Sequence, residues 1–282
     1  MKRVDKIGGE PIRKYKDLRI KMKATANGIK VNYKISGHGP WIILSHPVST
    51  NMEIWEPQIK AFAENFSVLQ YDIRGHGDTE VTEGPYPMAQ LADDAAHLLA
   101  YLGIEKTHWI GTSLGGMIGQ AFAIKYPDKV DRIVLANTTC QAAVNAQSIW
   151  GERALQAEMH GMTSLVESTI TRWFTKGFIE NNTHMIRQIE DMIKTTSVVG
   201  YRGTSNALIN FDLSAKLGAI NSSVLVIAGE HDQAATVAMS QKMVSLLIKA
   251  QLVIVKNAAH ICSAEQRDFF NKEVINFLFK TE

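Results

Sequence analysis

The stretch Trp109-Ile110-Gly111-Thr112-Ser113-Leu114-Gly115-Gly116 places a serine between two glycines, where an apolar run gives way to an amphipathic one. Residues 107–110 have the short apolar pattern of a buried strand, and residues 114–126 carry apolar side chains at helical spacing. A strand, a sharp turn and a helix in this order hold the central serine in a strained conformation at the helix N-terminus. The flanking glycines remove Cβ atoms that would clash with the strand and the helix. The pattern therefore predicts that Ser113 is a nucleophile.

A serine hydroxyl needs two partners, a base within hydrogen-bond reach and an acid that orients the base. Asp232 follows the predicted strand 223–228, and His260 follows the last predicted strand, 251–255. Because ligands bind at the carboxyl ends of parallel strands, residues from distant parts of the chain converge there. The order serine, acid, histidine is the one that accompanies this type of turn. The sequence therefore predicts a triad of Ser113, His260 and Asp232.

Other residues remain candidates for the acid and the base. Glu230 lies in the same loop as Asp232 and could replace it, although it is nearer the end of the strand. His231 is next to the predicted acid, in the wrong loop to be the base. Three further histidines could act as the base, although a lone histidine is more often a structural hydrogen-bonding residue: His46, His76 and His108.

The negative charge that develops on an attacked carbonyl oxygen needs at least two N–H donors. The backbone N–H of Leu114, directly after the serine, is the first expected donor. The second should come from the loop after the predicted strand 41–45, which reads His46-Pro47-Val48-Ser49-Thr50. Because proline has no N–H, Val48 is the expected second donor of the oxyanion hole.

The rest of the chain alternates short apolar strands with amphipathic helices, which predicts parallel β-α-β units with helices on both faces of a sheet. Two runs joined at Asn27-Gly28 predict an antiparallel hairpin before this alternation begins. Between residues 140 and 206 the strand pattern stops and a helical, methionine-containing segment predicts an inserted cap. The eight predicted strands span residues 20–25, 29–36, 41–45, 67–71, 107–110, 130–136, 223–228 and 251–255.

These patterns predict an α/β protein with a mostly parallel eight-stranded sheet and a helical cap. Residues 1–22 form a basic N-terminal arm, residues 23–139 and 207–282 form the core, and residues 140–206 form the cap. Lysine and arginine dominate the arm, which we expect to be solvated and partly disordered.

The composition narrows the classes of function. The 282 residues are 45% hydrophobic and carry a net charge of +2, which favours a large buried core and gives no argument for nucleic acid or acidic membranes. No apolar stretch is long enough to span a bilayer, and the N-terminus lacks a secretory hydrophobic segment. Cys140 and Cys262 lack the spacing of a metal or redox site. We therefore expect a cytoplasmic protein that acts on a small molecule without a metal or cofactor. The oligomeric state, including a homodimer, stays open.

Five short segments resemble the α/β-hydrolase superfamily and, within it, the 3-oxoadipate enol-lactonase group. The turn segment is shared by the whole superfamily, so it indicates the fold and mechanism more than the substrate. The two segments in and beside the cap are more telling about the substrate. The segments are YDIRGHG (71–77), GTSLGGMIGQ (111–120), VLANT (134–138), RWF (172–174) and GYR (200–202).

The resemblance implies a serine hydrolase that opens a lactone or a small carboxylated ester through an acyl-enzyme. Arginine pairs with a carboxylate through two parallel hydrogen bonds, so we expect Arg172 or Arg202 to hold the substrate carboxylate. An ion pair on the surface or between cap and core is the equally weighted alternative. Trp173 is expected on the inner face of the cap, together with other large side chains: Trp150, Met159, Met162 and Phe174.

Two other functions fit the same residues. One is hydrolysis of an amide or carbon–carbon bond in a ring-cleavage product, since the same triad serves those reactions. The other is a ligand-binding receptor on a hydrolase scaffold, in which turnover is incidental.

Overall fold

Eight strands form one sheet in the computed structural model, which describes residues 6–7, 10–11 and 21–280. Their order across the sheet is β8-β7-β6-β5-β3-β4-β2-β1. The hairpin β1–β2 and the pair β2–β4 are antiparallel, and the other pairs are parallel. The predicted mostly parallel eight-stranded sheet is therefore confirmed. The strands are β1 (Met22–Ala26), β2 (Ile29–Gly37), β3 (Trp41–Ser45), β4 (Ser67–Tyr71), β5 (Thr107–Thr112), β6 (Val130–Ala136), β7 (Ser223–Gly229) and β8 (Ala250–Val255).

The first hairpin turns at Asn27 and Gly28, which both have a positive φ, 49° and 78°. Two such residues in succession suit a two-residue turn between antiparallel strands. The strand before the turn begins at Met22 and ends at Ala26, slightly later than the predicted range 20–25. Most of the predicted basic arm, residues 1–22, lies outside the described residues, which include a short antiparallel pair of Lys6–Ile7 with Glu10–Pro11.

Helices from the core segments cover the central strands. β4 and β5 are buried at every position, as expected for parallel strands with helices on both faces. Among residues 21–280, no helix is long and apolar enough to cross a membrane. The core helices are α1 (Glu56–Ala63), α2 (Met88–Tyr101), α3 (Leu114–Lys125), α9 (Val237–Leu246), α10 (Cys262–Glu265) and α11 (Arg267–Phe279).

A purely helical segment separates β6 from β7, in the region predicted to be a cap. Its last helix continues to Ile209, beyond the predicted boundary at 206. Gln141 and Asp212 form an isolated antiparallel bridge where the segment leaves and rejoins the core. The cap helices are α4 (Ala146–His160), α5 (Val166–Trp173), α6 (Lys176–Asn181), α7 (Thr183–Thr195) and α8 (Val198–Ile209).

Backbone contacts fasten the cap to the core at two places. The Trp173 carbonyl accepts the N–H of His260 at 3.0 Å. On the other side, α8 lies directly against the loop after β4, because a Cβ atom on Gly200 would lie 2.0 Å from the Gly75 oxygen. Close backbone approach of this kind requires glycine. The cap therefore covers the carboxyl ends of the strands in a defined position.

Candidate active site

The predicted nucleophile, Ser113, stands at the turn between β5 and α3. Its φ of 55° and ψ of −116° are strained for a residue with a side chain. Surrounding hydrogen bonds hold this conformation: its N–H donates to the Ala136 oxygen at 3.0 Å, and its carbonyl accepts from Thr138 Oγ1 at 2.7 Å. The strain is therefore fixed by β6, the neighbouring strand.

Two glycines of the turn segment allow α3 to approach the sheet. A Cβ atom on Gly111 would lie 2.2 Å from the Gly115 oxygen, and one on Gly115 would lie 2.0 Å from the Ser45 oxygen. Both distances are far below van der Waals contact, so neither position accepts a larger residue without backbone movement. The N-terminus of α3 is thereby held against the end of β3.

The predicted base and acid form a buried pair. His260 Nδ1 lies 2.8 Å from Asp232 Oδ2, and the other carboxylate oxygen accepts the N–H groups of Ala234 and Ala235 at 2.8 and 3.0 Å. Burial by itself would raise the pKa of Asp232. The charge and hydrogen bond of His260, together with the hydrogen bonds from Ala235 and Asn137, outweigh burial and hold the pKa below its usual value. Asp232 is therefore a carboxylate that fixes Nδ1 of His260 as the hydrogen-bond donor.

One cavity between the sheet edge and the cap brings several predicted residues together. Ser113, His260 and Val48 line it from the core, and Arg172 and Trp173 line it from the cap. The ring centroids of Trp173 and His260 lie 5.9 Å apart. Trp173 is buried, so it forms a wall beside the imidazole.

Hydrogen bonds of the His46 side chain stabilise the loop that carries Val48. His46 Nε2 accepts the Ile73 N–H at 2.9 Å, so Nδ1 carries the proton and donates to the Pro47 oxygen at 2.8 Å. Thr50 Oγ1 donates to the same oxygen at 2.8 Å. The first expected donor, Leu114, is the first residue of α3, where N–H groups have no partner within the helix and the helix dipole favours negative charge.

Arg172 is a half-buried cation on the wall of this cavity. Among residues 21–280, no carboxylate lies within 4.0 Å of its guanidinium nitrogens. Burial lowers the pKa of Arg172, and the positive charge of Arg153 lowers it further, whereas Asp232 acts in the opposite direction. A cation in such surroundings is stabilised by an anion in the cavity.

Comparison with known proteins places the chain in a family. Residues 40–159 match the α/β-hydrolase fold family, and residues 210–282 match a family described as TAP-like protein. The chain is 34% identical to 3-oxoadipate enol-lactonase 2 of Acinetobacter baylyi over 252 residues, which cover 89% of this chain and 93% of the relative. The chain belongs to the α/β-hydrolase family. The predicted resemblance to the enol-lactonase group is confirmed.

Two further relatives of this α/β-hydrolase bear on its function. The crystal structure of the enol-lactonase from Burkholderia xenovorans LB400 matches with a TM-score of 0.89 and 34% identity, covering 92% of this chain and all of that one. A putative carbamate hydrolase, RutD, of Agrobacterium fabrum is 29% identical over 262 residues, covering 90% of this chain and 98% of the relative. The same fold thus carries different bond specificities among its relatives.

The alternative histidines occupy other places in this α/β-hydrolase. His46 and His76 are fully buried; burial lowers the pKa of His46 to about 4, and burial with the nearby charge of His46 lowers the pKa of His76 to about 3. His108 lies near the start of β5, at the opposite end of the strand from Ser113, and its ring faces Asp131. None of the three lines the cavity of Ser113.

Glu230, the alternative acid, and its neighbour His231 have other partners than His260. Glu230 accepts hydrogen bonds from Lys256 Nζ at 2.7 Å and from the Asn257 N–H at 3.1 Å. His231 is exposed, with its Nε2 3.9 Å from Glu230. The geometry therefore favours Asp232 over Glu230 as the partner of His260.

Two predictions about the cap need correction. Arg202 does not line the cavity; it is 42% exposed and pairs with Glu158 at 2.9 Å and with Glu83 at 3.1 Å. The side chain of Met159 is 66% exposed instead of facing inward. The face of α4 that does line the cavity consists of Ala146, Ile149, Trp150 and Arg153.

Sequence reasoning missed two polar residues of the site. Arg153 lines the cavity and is held by hydroxyl groups only, of Tyr201, Ser168 and Thr169, at 3.2, 3.2 and 2.6 Å. Its spacing from Trp150 and Ala146 on one helix face was the available signal. Asn137, at the end of β6, donates to Asp232 Oδ2 at 2.9 Å. Asn137 belongs to the sequence segment VLANT, which by itself indicates no role for its side chain.

Proposed function

We propose that this α/β-hydrolase opens a lactone or a small carboxylated ester through an acyl-enzyme formed on Ser113. The relatives indicate that the chain is a hydrolase acting on ester bonds. The proposal of an acyl-enzyme on a carboxylated substrate rests on the residues that line the cavity. A strained serine, a histidine paired with a buried carboxylate and a half-buried arginine line the same space.

Acylation begins when Ser113 Oγ attacks the carbonyl carbon of the substrate. His260 Nε2 takes the hydroxyl proton, and Asp232 stabilises the imidazolium through its hydrogen bond to Nδ1. The N–H groups of Val48 and Leu114 stabilise the oxyanion. The carbon–oxygen bond to the leaving group then breaks. In an enol lactone the leaving enolate takes the proton from His260 Nε2 and becomes a ketone, which makes this step easy and returns His260 to its neutral form.

Deacylation reverses the roles. His260 Nε2 takes a proton from water, and the resulting hydroxide attacks the acyl carbon. The second oxyanion collapses, Ser113 Oγ leaves, and His260 returns the proton to it. The product acquires a new carboxylate, so a substrate that already carries one leaves as a dianion.

The charge of the cavity supports a carboxylated substrate. Arg172 and Arg153 both line it, and within residues 21–280 neither guanidinium lies within ion-pair distance of a carboxylate. A partly desolvated cation without a counter-ion is unfavourable, and a bound carboxylate removes that cost. Arg172 is the proposed partner, because hydroxyl groups already occupy three nitrogens of Arg153.

The first experiment tests hydrolysis itself. Purified protein is assayed with a chromogenic short-chain ester and with a carboxylated lactone, beside the variant Ser113→Ala. We expect a burst of product and steady turnover from the wild type and no burst from the variant. Absence of turnover in the wild type, with tight binding of a carboxylated ligand, would favour the receptor alternative.

The second experiment tests the carboxylate site. In Arg172→Gln we expect kcat/KM to fall about 10- to 100-fold for a carboxylated ester, the loss of a hydrogen bond to a charged group, and to change little for its neutral isostere. Arg202→Gln is the matched control, since Arg202 is a cap arginine that pairs with Glu158 and Glu83 outside the cavity. Equal losses on both substrates would contradict the assignment.

Cleavage of a carbamate or amide is the second candidate, favoured by the relationship to the putative carbamate hydrolase RutD. The same triad serves this reaction if His260 protonates the leaving amine. One carboxylated acyl group with an ester and an amide leaving group separates the two candidates. A kcat/KM for the amide that equals or exceeds that for the ester would favour the second candidate.

A further inference from the structure

We propose that Asn137 is a positioning residue that fixes the Asp232 carboxylate and the backbone of His260 in one arrangement. This inference rests on the proposed triad. Asn137 follows β6, which lies between the strand that leads to Ser113 and the strand that leads to Asp232.

The Asn137 side chain makes three hydrogen bonds in a fully buried position. Nδ2 donates to Asp232 Oδ2 at 2.9 Å and to the Ala259 oxygen at 3.0 Å, and Oδ1 accepts from Cys262 Sγ at 2.8 Å. The neighbours fix which way the amide points, because two are acceptors and one is a donor. A single amide therefore joins the loop of the acid to the loop of the base.

The backbone conformation and the backbone N–H of Asn137 also favour asparagine at this position. Its φ is 47°, in the left-handed region that asparagine tolerates better than most residues. Its N–H donates to the Ile227 oxygen of β7 at 2.8 Å. A leucine or valine here would be strained and would leave the Ala259 oxygen without its donor.

The amide completes the hydrogen bonding of the acid. Asp232 Oδ1 accepts two backbone N–H groups, and Oδ2 accepts Nδ1 of His260 and Nδ2 of Asn137. Four donors match the approximately four acceptor positions of a carboxylate. With both oxygens held, the carboxylate cannot rotate away from the imidazole, and its charged form is favoured.

The variant Asn137→Asp tests the proposal with almost no change in shape. It places a second carboxyl group directly beside Asp232 Oδ2, so the two carboxyl groups share one proton, and it removes the donor to the Ala259 oxygen. The other ionisable groups that face the pair are unchanged: Arg172 from the cap, and Cys262 and Glu265 from α10. We expect a new ionisation to enter the kcat/KM profile, because the pair of carboxyl groups loses its shared proton as the pH rises. We also expect kcat to fall about 10- to 100-fold, the usual effect of removing an orienting partner, with KM changed less than about threefold.

A matched control exists in the first hairpin. Asn27 also has a positive φ, 49°, and its Nδ2 donates to an aspartate, Asp94 Oδ1, at 2.7 Å. Asn27→Asp makes the same chemical change at the other edge of the sheet. We expect it to lower the melting temperature without moving the pH profile. Equal effects of the two variants on kcat and the pH profile would reduce Asn137 to a structural residue and overturn the proposal.

Two further measurements keep the test decisive. If Asn137→Asp does not fold, Asn137→Gly removes the amide while accepting the positive φ. It should lower kcat without adding an ionisation to the pH profile, since it adds no carboxyl group, and wild-type kcat in this variant would overturn the proposal. The downfield proton resonance of the His260–Asp232 hydrogen bond can be titrated without substrate. Its loss or shift in the Asn137 variants supports the proposal even if no tested ester is hydrolysed, and an unchanged titration contradicts it.

Discussion

Substituting Gly115 by alanine tests whether the approach of α3 to β3 sets the geometry of the proposed oxyanion hole, Val48 and Leu114. The added Cβ atom would lie 2.0 Å from the Ser45 oxygen, 2.5 Å from the Ser45 carbonyl carbon and 3.0 Å from the His46 oxygen. All three are backbone atoms, so no side chain can rotate out of the way. The helix that begins at Leu114 and the strand end that leads to Val48 must move apart.

The size of the effect follows from the distances. Ordinary contacts of a Cβ atom begin at 3.4 Å, so the 2.0 Å contact requires a separation of more than 1 Å. Overpacking of this kind costs about 1–3 kcal/mol, and the gain from replacing glycine in a helix, about 0.5–1 kcal/mol, offsets only part of it. A net loss of about 1–2 kcal/mol corresponds to a decrease in Tm of about 2–3 °C for 282 residues, since the unfolding entropy is about 2.1 cal/mol/K per residue. Misplacement of catalytic donors by about 1 Å costs about 100-fold in kcat.

The assay combines thermal unfolding with turnover of a chromogenic short-chain ester. Gly177→Ala is the matched control, since Gly177 is a helical glycine of α6 with no atom within 4 Å of the added Cβ. We expect the control to keep its activity with an equal or slightly higher Tm, and we expect Gly115→Ala to lose activity and to unfold at a lower temperature. A Gly115→Ala protein with the kcat of the wild type would refute the reasoning, even if its Tm falls.

Two more predictions concern the acid and the buried histidines. Asp232→Asn should lower kcat by about 10³- to 10⁴-fold, because His260 loses the carboxylate that orients and stabilises its imidazolium, whereas Glu230→Gln should change kcat less than about threefold. Between pH 7 and pH 5 the free energy of unfolding should fall by about 2 kcal/mol for each of His46 and His76, because both are held neutral while the unfolded histidines take up protons below about pH 6.5. This contribution is fully present above pH 6.5 and is lost as the pH falls towards the lowered pKa of each group. Urea unfolding at several pH values measures it, and a pH-independent free energy over this interval would contradict it.

The sequence was sufficient for the features that local patterns determine. The serine between glycines predicted the turn at Ser113, since the glycines allow the strand and the helix to approach closely on either side of it. The alternating strands and helices predicted the sheet. Strand ends were less accurate. β5 runs to Thr112 instead of ending at Ile110, because its pairing with β6 continues up to the turn. The hydrogen bonds of the neighbouring strand, which the local pattern does not contain, decide where the strand ends.

The cap was harder to predict, because its helices pack by tertiary contacts that a single sequence does not specify. Arg172 and Arg202 were equivalent candidates in the sequence, and only the packing of α5 and α8 separates the cavity arginine from the surface one. Met159 lies six residues beyond Arg153 on α4, about 240° around the helix axis, so it faces away from the cavity. Helical geometry excluded that methionine once the inward face of α4 was known.

The strand order explains why Asn137 required the structure. Five neighbouring strands, β8, β7, β6, β5 and β3, are each followed by at least one residue of the proposed site. Apart from Asn137, the residues after these strands can be recognised from the sequence by their chemistry or by their position next to a motif. Asn137 becomes informative only when β6 is known to lie between the strands of Ser113 and Asp232.

The same strand order places the strand before His260 far from the strand before Ser113, and the loop after β8 spans the distance between them. Three strand spacings separate β8 from β5, about 14 Å, so His260 must reach back across the ends of β7 and β6 if it is to act as the proposed base for Ser113. The loop lies directly on β7, because a Cβ atom on Gly229 would lie 2.0 Å from the Ala259 oxygen. Asn137 holds that oxygen from the sheet, and the Trp173 carbonyl holds the N–H of His260 from the cap. Trp173 adjoins Arg172 in sequence, so the segment proposed to bind the substrate carboxylate also positions the backbone of the proposed base, His260.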